Sequence, residues 1–362
     1  MYLYPWDELS WRSKTEPITQ PISEPEIIGY YSIDGQRNYL ANSSNMSYYK
    51  PPELGRVYMD LNQGIESAVS TNRVSENGSM CDTLEWVGRN GTKILASQTD
   101  KWIKPKFVTS GGVLTRILYT PYKPDTDWII CAAKLKGTIY LCRFWTEQEK
   151  DLQTRMPRHY TSWGYKFEQY MVSDHPDKKP DTFRPVIEPA EFRCIFKRHF
   201  GKHEVNTFSA EMDAVCSKTV LNDPLPLKKL KFIELKTKKT ISRDAQMRTF
   251  HRHSTLQWWA QNFCTGIEEI LCGFRDDDGI VRSLKLYSCD QLIQLGEPYW
   301  NPATCKKFCQ NFLDYVDRTV VEDFDKVIYK FEKKLQGGIT LTREEPTSSY
   351  AFLPSSFIAK TS

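Results

Sequence analysis

The sequence lacks most of the marks by which a chain declares a ready chemistry. None of its ten cysteines belongs to a CxxC pair. Cys305 and Cys309 are one helical turn apart, which reads as buried free thiols rather than zinc ligands. There is no Walker loop and no GxGxxG, and Gly111-Gly112 lacks the rest of any phosphate-loop pattern. None of the six histidines, His251 and His253 included, sits beside a Ser or Cys in a nucleophile setting. No run of about 18 apolar residues suggests a membrane span. The opening Met-Tyr-Leu-Tyr-Pro-Trp has neither the basic flank nor the apolar stretch of a secretory signal. The expectation is an intracellular chain in reducing surroundings, with no membrane partner. A net charge of +4 over 362 residues excludes a polycation, so any affinity for nucleic acid must come from a local basic surface.

What is present is ordinary in bulk and particular in detail. Hydrophobic residues make up 40% and charged residues 26%, as in a soluble globular protein. Aromatics reach 13%, with ten Trp and nineteen Tyr, and read first as a large core. Residues 1 to about 55, rich in Pro, Ser and Tyr, read as an extended arm laid on a domain. Residues 106–121 read as a strand broken by Gly111-Gly112, and 128–145 as a hairpin turned at Lys136-Gly137. Residues 163–172 suit strand or helix. Four prolines among charges make 173–190 a loop. Strands are expected over 191–200, 207–216 and 230–237, and a helix over 245–264. A hairpin turned by Asp276-Asp-Asp-Gly279 follows, then a helix over 302–319 opened by Asn301-Pro302, and strands return in 326–353.

Two short motifs carry the chemistry: Glu211-Met-Asp213 and Glu234-Leu-Lys236. Alternate residues of a strand share a face, so each motif presents charged side chains on one side and apolar ones on the other. If the two strands adjoin, three carboxylates and an ammonium converge. Such a group is a poor core and a good site for a hard divalent cation. Two solvated amphipathic strands are the plain alternative. Glu168, an acid in an aromatic segment, and Gln261, one helical turn from Trp258, extend the metal-site reading. Lysines and arginines from Lys228 to Arg252 surround the second motif, and a phosphate backbone is a fitting partner. Lys228-Lys-Leu-Lys231 is also a weak match to a nuclear signal.

At this point the residues resemble a known family. WGYKFEQY (163–170), FSAEMDAV (208–215), FIELKT (232–237) and WWAQNF (258–263), with GFRDDDGIVRSLK (273–285), WNPATCKKFCQNFL (300–313), RTVVEDF (318–324) and YAFLP (350–354), are similar to the DXO/Dom-3 family of RNA decapping nucleases. FVT…LTRILYTPY (107–122) and GYYSIDGQR (29–37) carry the likeness across nearly the whole chain. The resemblance implies an α+β fold, mixed β-sheets with flanking helices around a PD-(D/E)xK-like nuclease core, with its active site in a deep groove. With the composition of the first residues, the chain is expected to divide into an arm over 1–25, disordered at its start, and one decapping-nuclease domain over 26–362. It implies that Glu168, Glu211, Asp213, Glu234 and the main-chain carbonyl of Leu235 hold one or two Mg²⁺ or Mn²⁺ ions, and that Lys236 and Gln261 face the scissile phosphate. Arg37, Ser110, Gly111, Gly112 and Arg193, with Glu168, Lys236 and Gln261, are the implied substrate-binding positions.

The implied activity is hydrolysis at RNA 5′ ends: removal of unmethylated caps, NAD caps and triphosphates, with 5′–3′ exoribonuclease activity in many members. The implied substrate is RNA with a single-stranded 5′ end. Nuclear residence follows from the same likeness, with the cytoplasm as a second location. The chain departs from the family in one motif, where the usual arginine falls on Gly111 and the usual lysine on Arg116. That departure keeps a second reading open: a catalytically weak RNA-binding scaffold that stabilises an Xrn-type 5′–3′ exoribonuclease.

Overall fold

The computed structural model describes residues 2–3, 21–52, 55–70, 80–91, 105–155, 158–201 and 203–361. Most of the arm expected over 1–25 lies outside the described residues. Among them, two sheets form the frame. The larger has ten strands in the order Tyr2–Leu3, Ile339–Glu344, Ile328–Lys333, Trp128–Leu135, Thr138–Phe144, Phe107–Ser110, His203–Glu211, Glu191–Phe200, Glu26–Ile33 and Tyr39–Leu40. The smaller has seven: Gly55–Asp60, Ile280–Ser288, Glu269–Arg275, Phe232–Lys239, Ala214–Val215, Tyr48–Tyr49 and Val172–Ser173. Helices flank both, so the expected α+β class of mixed sheets holds.

Three strands of the large sheet run in one direction side by side. Phe107–Ser110 pairs in parallel with Thr138–Phe144 on one side and with His203–Glu211 on the other. Their carboxyl ends therefore lie together, and loops leaving such ends are where open α/β sheets place ligands. Ser110 and Glu211 are the last residues of their strands, and Arg143 is one residue from the end of its own.

The chain crosses from the large sheet to the small one at Met212 and Asp213. The Met212 N–H still donates to the Phe192 carbonyl at 2.9 Å, whereas Ala214 already pairs with Ile233. The strand expected over 207–216 is thus two strands of different sheets, and Asp213 sits in the crossing rather than on a continuous face with Glu211. The strand Phe232–Lys239 continues the small sheet, in parallel with Glu269–Arg275.

Three further expectations are corrected. The segment 1–55 is not simply an arm laid on a domain: Glu26–Ile33 is an interior strand of the large sheet, bonded to Glu191–Phe200, and Tyr31 and Ile33 are fully buried. Its run of apolar and aromatic residues, Ile27, Ile28, Tyr30, Tyr31 and Ile33, outweighs the surrounding prolines. Gly111-Gly112 does not break a strand. The strand ends at Ser110 and the glycines open the helix Gly111–Tyr119, whose Val113, Leu114, Ile117 and Leu118 are buried at helical spacing. The C-terminal strands end at Glu344, and a helix, Ser355–Thr361, follows.

The segment left open between strand and helix is the helix Arg158–Met171. It presses on the small sheet at Gly273, where a Cβ would come within 2.4 Å of the Phe167 ring. Only glycine allows so close an approach. Two side chains within two residues of Glu168 tie the helix to the 173–190 loop. Lys166 Nζ donates to the Thr182 carbonyl at 2.6 Å, and Gln169 Nε2 donates to the Arg184 carbonyl at 3.0 Å.

Candidate active site and adjoining cavity

The seam between the sheets collects the acids. Glu211 ends a strand of the large sheet, Asp213 lies in the crossing, Glu234 and Lys236 come from the adjoining strand of the small sheet, and Glu168 comes from the helix above. Glu234 is 1% exposed. Its Oε1 accepts from Lys236 Nζ and, at 2.5 Å, from Gln261 Nε2 on the helix Thr255–Thr265. Its Oε2 is buried with no hydrogen-bond partner. Asp213 Oδ2 accepts from the Leu235 N–H at 2.7 Å, which locks the crossing to the second strand.

The electrostatics follow from crowding. Burial pushes the Glu168 carboxyl well above the ordinary carboxylate range, and Asp213 and Glu211 push it further. Asp213 rises for the same reasons, burial first and then Glu234. Burial works against the charge on Lys236, yet Glu234 and Asp213 outweigh it and hold the ammonium firmly protonated.

A hard divalent cation fits this donor set. The ligands are carboxylate oxygens, Lys236 offsets only part of their mutual repulsion, and one buried oxygen of Glu234 is unsatisfied. As they stand, no group of three or more acids, histidines or cysteines among the described residues is spaced to hold a metal ion. The four carboxylates among the five expected metal ligands lie close together at one seam, with Glu234 and Asp213 turned to protein donors.

Beside the seam a cavity of about 340 Å³ opens onto Glu211. Arg37, Ser110, Gly112 and Arg193, all expected at the substrate, lie on its wall. Gly111 is buried between Ser110 and Gly112, and a Cβ there would face Ala210 at 3.2 Å rather than the cavity. The two arginines share one carboxylate. Glu191 accepts from Arg37 at 2.8 Å and from Arg193 at 2.6 Å, and Arg37 also meets Asp82 at 3.2 Å. Burial opposes the charge on Glu191, but Arg193 and Arg37 prevail and hold its carboxyl below the ordinary range. Arg37 has φ 65, a left-handed conformation that non-glycine residues adopt seldom and that is often found at functional sites.

The cavity also has walls that sequence reasoning missed. Arg143 lies near the end of the large sheet's hairpin strand, Trp145 follows that strand, and Tyr165 lines the cavity from the helix Arg158–Met171. Arg143 offered a signal, being the one charged residue in the strand Thr138–Phe144, where its neighbours are otherwise buried.

An aspartate at a sheet crossing, then Glu-x-Lys on the adjoining strand of a mixed sheet, defines a hydrolase of the PD-(D/E)XK nuclease class. Comparison with known proteins narrows this. The RAI1-like PD-(D/E)XK nuclease model matches residues 23–358, and the chain belongs to that family of decapping and exoribonuclease proteins. The decapping and exoribonuclease protein of Rattus norvegicus is 30% identical over 344 residues, covering 92% of this chain and 84% of the relative. Two solved structures share the fold at 18% identity. Candida albicans Rai1, solved with pU5 and Mn²⁺, has a TM-score of 0.76, covering 96% of this chain and 99% of that one. Scheffersomyces stipitis Rai1, solved with 3′-NADP and calcium, has a TM-score of 0.75 with the same coverage. Among the described residues no helix is long and apolar enough to cross a membrane.

Proposed function

We propose that this chain hydrolyses the 5′ ends of RNA, removing unmethylated caps, NAD caps and triphosphates. The carrying observation is the cavity that opens onto Glu211 beside the acid–lysine seam. It gives a 5′-terminal group a place to sit while the adjoining phosphate reaches the carboxylates. The relatives solved with a 5′-phosphorylated oligouridylate and with a nicotinamide dinucleotide support a substrate of this kind.

Glu168, Glu211, Asp213, Glu234 and the Leu235 carbonyl would hold the cation, Mg²⁺ or Mn²⁺, which when bound polarises phosphoryl oxygens and acidifies water. The remaining work falls to the chain. Lys236, kept protonated by Glu234 and Asp213, faces negative charge developing on the phosphate. Gln261 holds Glu234 in place through its amide. Glu191 fixes the Arg193 and Arg37 guanidinium groups before substrate arrives, so little order has to be imposed on binding.

Purified protein with Mn²⁺ and 5′-triphosphate, GpppN-capped and NAD-capped RNA tests the reading. Release of pyrophosphate or of the capping dinucleotide is expected. Folded protein that yields no product from any of the three overturns it.

A further inference from the structure

One of the arginines on the cavity wall belongs to a group with a cation over. Arg37 and Arg193 are matched by Asp82 and Glu191. Arg143 is not matched in this way. Its guanidinium meets Glu149 at 2.6 Å, but the same Oε1 also receives Arg116 at 2.9 Å. One carboxylate thus serves two guanidinium groups, and a positive charge remains. The Arg143 Nε is buried and makes no hydrogen bond. Burial, followed by repulsion from Arg116, weakens the hold of Arg143 on its proton, as expected of a cation short of counter-charge.

Position gives that surplus a use. Arg143 stands at the carboxyl end of Thr138–Phe144, next to the end of Phe107–Ser110, which in turn adjoins the strand ending at Glu211. All three line one cavity, with Glu211 at the metal side and Arg143 across the strand ends. The helix Gly111–Tyr119 starts between them, and Ser110 caps it with no side-chain hydrogen bond. Helix N-termini favour anions, and a guanidinium beside one reinforces that preference.

We propose that Arg143 is a substrate-binding residue that takes a phosphate of the leaving group, the part of the 5′ end released into the cavity. This rests on the reading of the site as an RNA 5′-end hydrolase and deepens it. The ligand class is a di- or polyphosphate, free as pyrophosphate or within a dinucleotide.

The test uses inorganic pyrophosphate, titrated calorimetrically into magnesium-loaded protein, with Arg143→Gln and Glu149→Gln beside the wild type. Glu149→Gln removes the ion pair and leaves the guanidinium, so it separates substrate binding from a structural role. Arg143→Gln should weaken binding about tenfold or more, and Glu149→Gln should leave it equal or tighter. KM for 5′-triphosphate RNA should follow the same order, with kcat little changed. Three results overturn the proposal: no pyrophosphate binding by wild type, unchanged binding by Arg143→Gln, or equal weakening by both variants. An active enzyme indifferent to Arg143 sinks this inference alone. Arg143-dependent pyrophosphate binding in a protein inactive on every 5′ end sinks the functional reading alone.

Discussion

At the seam, one ammonium stands among four carboxylates: Lys236 with Glu168, Glu211, Asp213 and Glu234. Across Glu211, on the cavity wall, Arg37 and Arg193 face Asp82 and Glu191 in balance, and Arg143 is a cation in surplus. The seam holds an excess of negative charge that suits a metal ion. On the side of the cavity away from Glu211, Arg143 and Arg116 share one carboxylate, and that local positive excess suits phosphate. The two must differ in what their loss does. Damage to the seam should abolish chemistry on every substrate alike. Damage to the cavity should discriminate between 5′ ends and change KM first.

The largest effect is expected at Glu234. Glu234→Gln keeps the side chain's shape and its contact with Lys236 but removes a buried anionic oxygen. Activity on all 5′ ends should fall about a thousandfold, in keeping with loss of a preorganised charged group. Single-turnover rates on triphosphate and NAD-capped RNA measure it, and a loss confined to one substrate breaks the division between seam and cavity. Next comes Glu191, 12% exposed at its side chain. Glu191→Gln leaves Arg37 and Arg193 underpaired in a largely buried place, which should cost about 3 kcal/mol in chemical denaturation. An unchanged denaturation midpoint would show that those cations are solvated and the cavity is not preorganised.

A third variant tests how the seam is held. Gly273→Ala sets a methyl where the Phe167 ring now packs, 2.4 Å from its Cε2. The helix must lift, and Glu168 lifts with it. About 2 kcal/mol of stability should be lost, and kcat should drop more than KM rises. A stable variant with full kcat would mean that Glu168 is not placed by this contact.

Legibility in the sequence follows the same division. Glu211, Asp213, Glu234 and Lys236 stand in two short motifs that could be read directly, and the short strand after Asp213, Ala214–Val215, does pair with Phe232–Lys239. What the pattern could not convey was the crossing between sheets at Met212, because alternation looks the same in one strand or in two. The helix around Glu168 was ambiguous, since its aromatic residues suit either element, and the contact that decides it, Phe167 on Gly273, is remote in sequence. The cavity was harder still. Arg143 became significant only when parallel pairing set three strand ends together, and nothing within its own segment marks it as facing Glu211.

Metal and pH sharpen the seam further. Glu168 and Asp213 have carboxyl groups raised by burial and by one another in the folded chain. The folded protein therefore binds more protons than the unfolded one across the window from the ordinary carboxylate range, near pH 4, up to the raised values. Without metal, stability should fall as pH rises through that window. A divalent cation needs the deprotonated oxygens, so its stabilisation should grow in the same direction. The rise in thermal midpoint on adding Mn²⁺ should be larger at pH 8 than at pH 5. Equal rises at both would place the ion outside these carboxylates.

The smallest effect is expected at Gly111, where the family's usual arginine is absent. A Cβ at this position would meet the Ala210 Cβ at 3.2 Å and the Ser209 carbonyl at 3.5 Å. The side chain would start out toward the neighbouring strand, and its neighbours would have to give by a few tenths of an ångström. Gly111→Ala should therefore cost about 1 kcal/mol, with KM unchanged. Gly111→Arg should cost a similar amount, because the Cβ contact and not the guanidinium sets the penalty. If Arg143 already supplies the cavity's phosphate-binding charge, the added arginine gains little and KM for triphosphate RNA stays within about threefold of wild type, a difference worth under 1 kcal/mol. A tenfold or greater fall in KM would show the reverse. The cavity would then be short of a cation, and the positive surplus at Arg143 would lie too far from the 5′ phosphates to serve them.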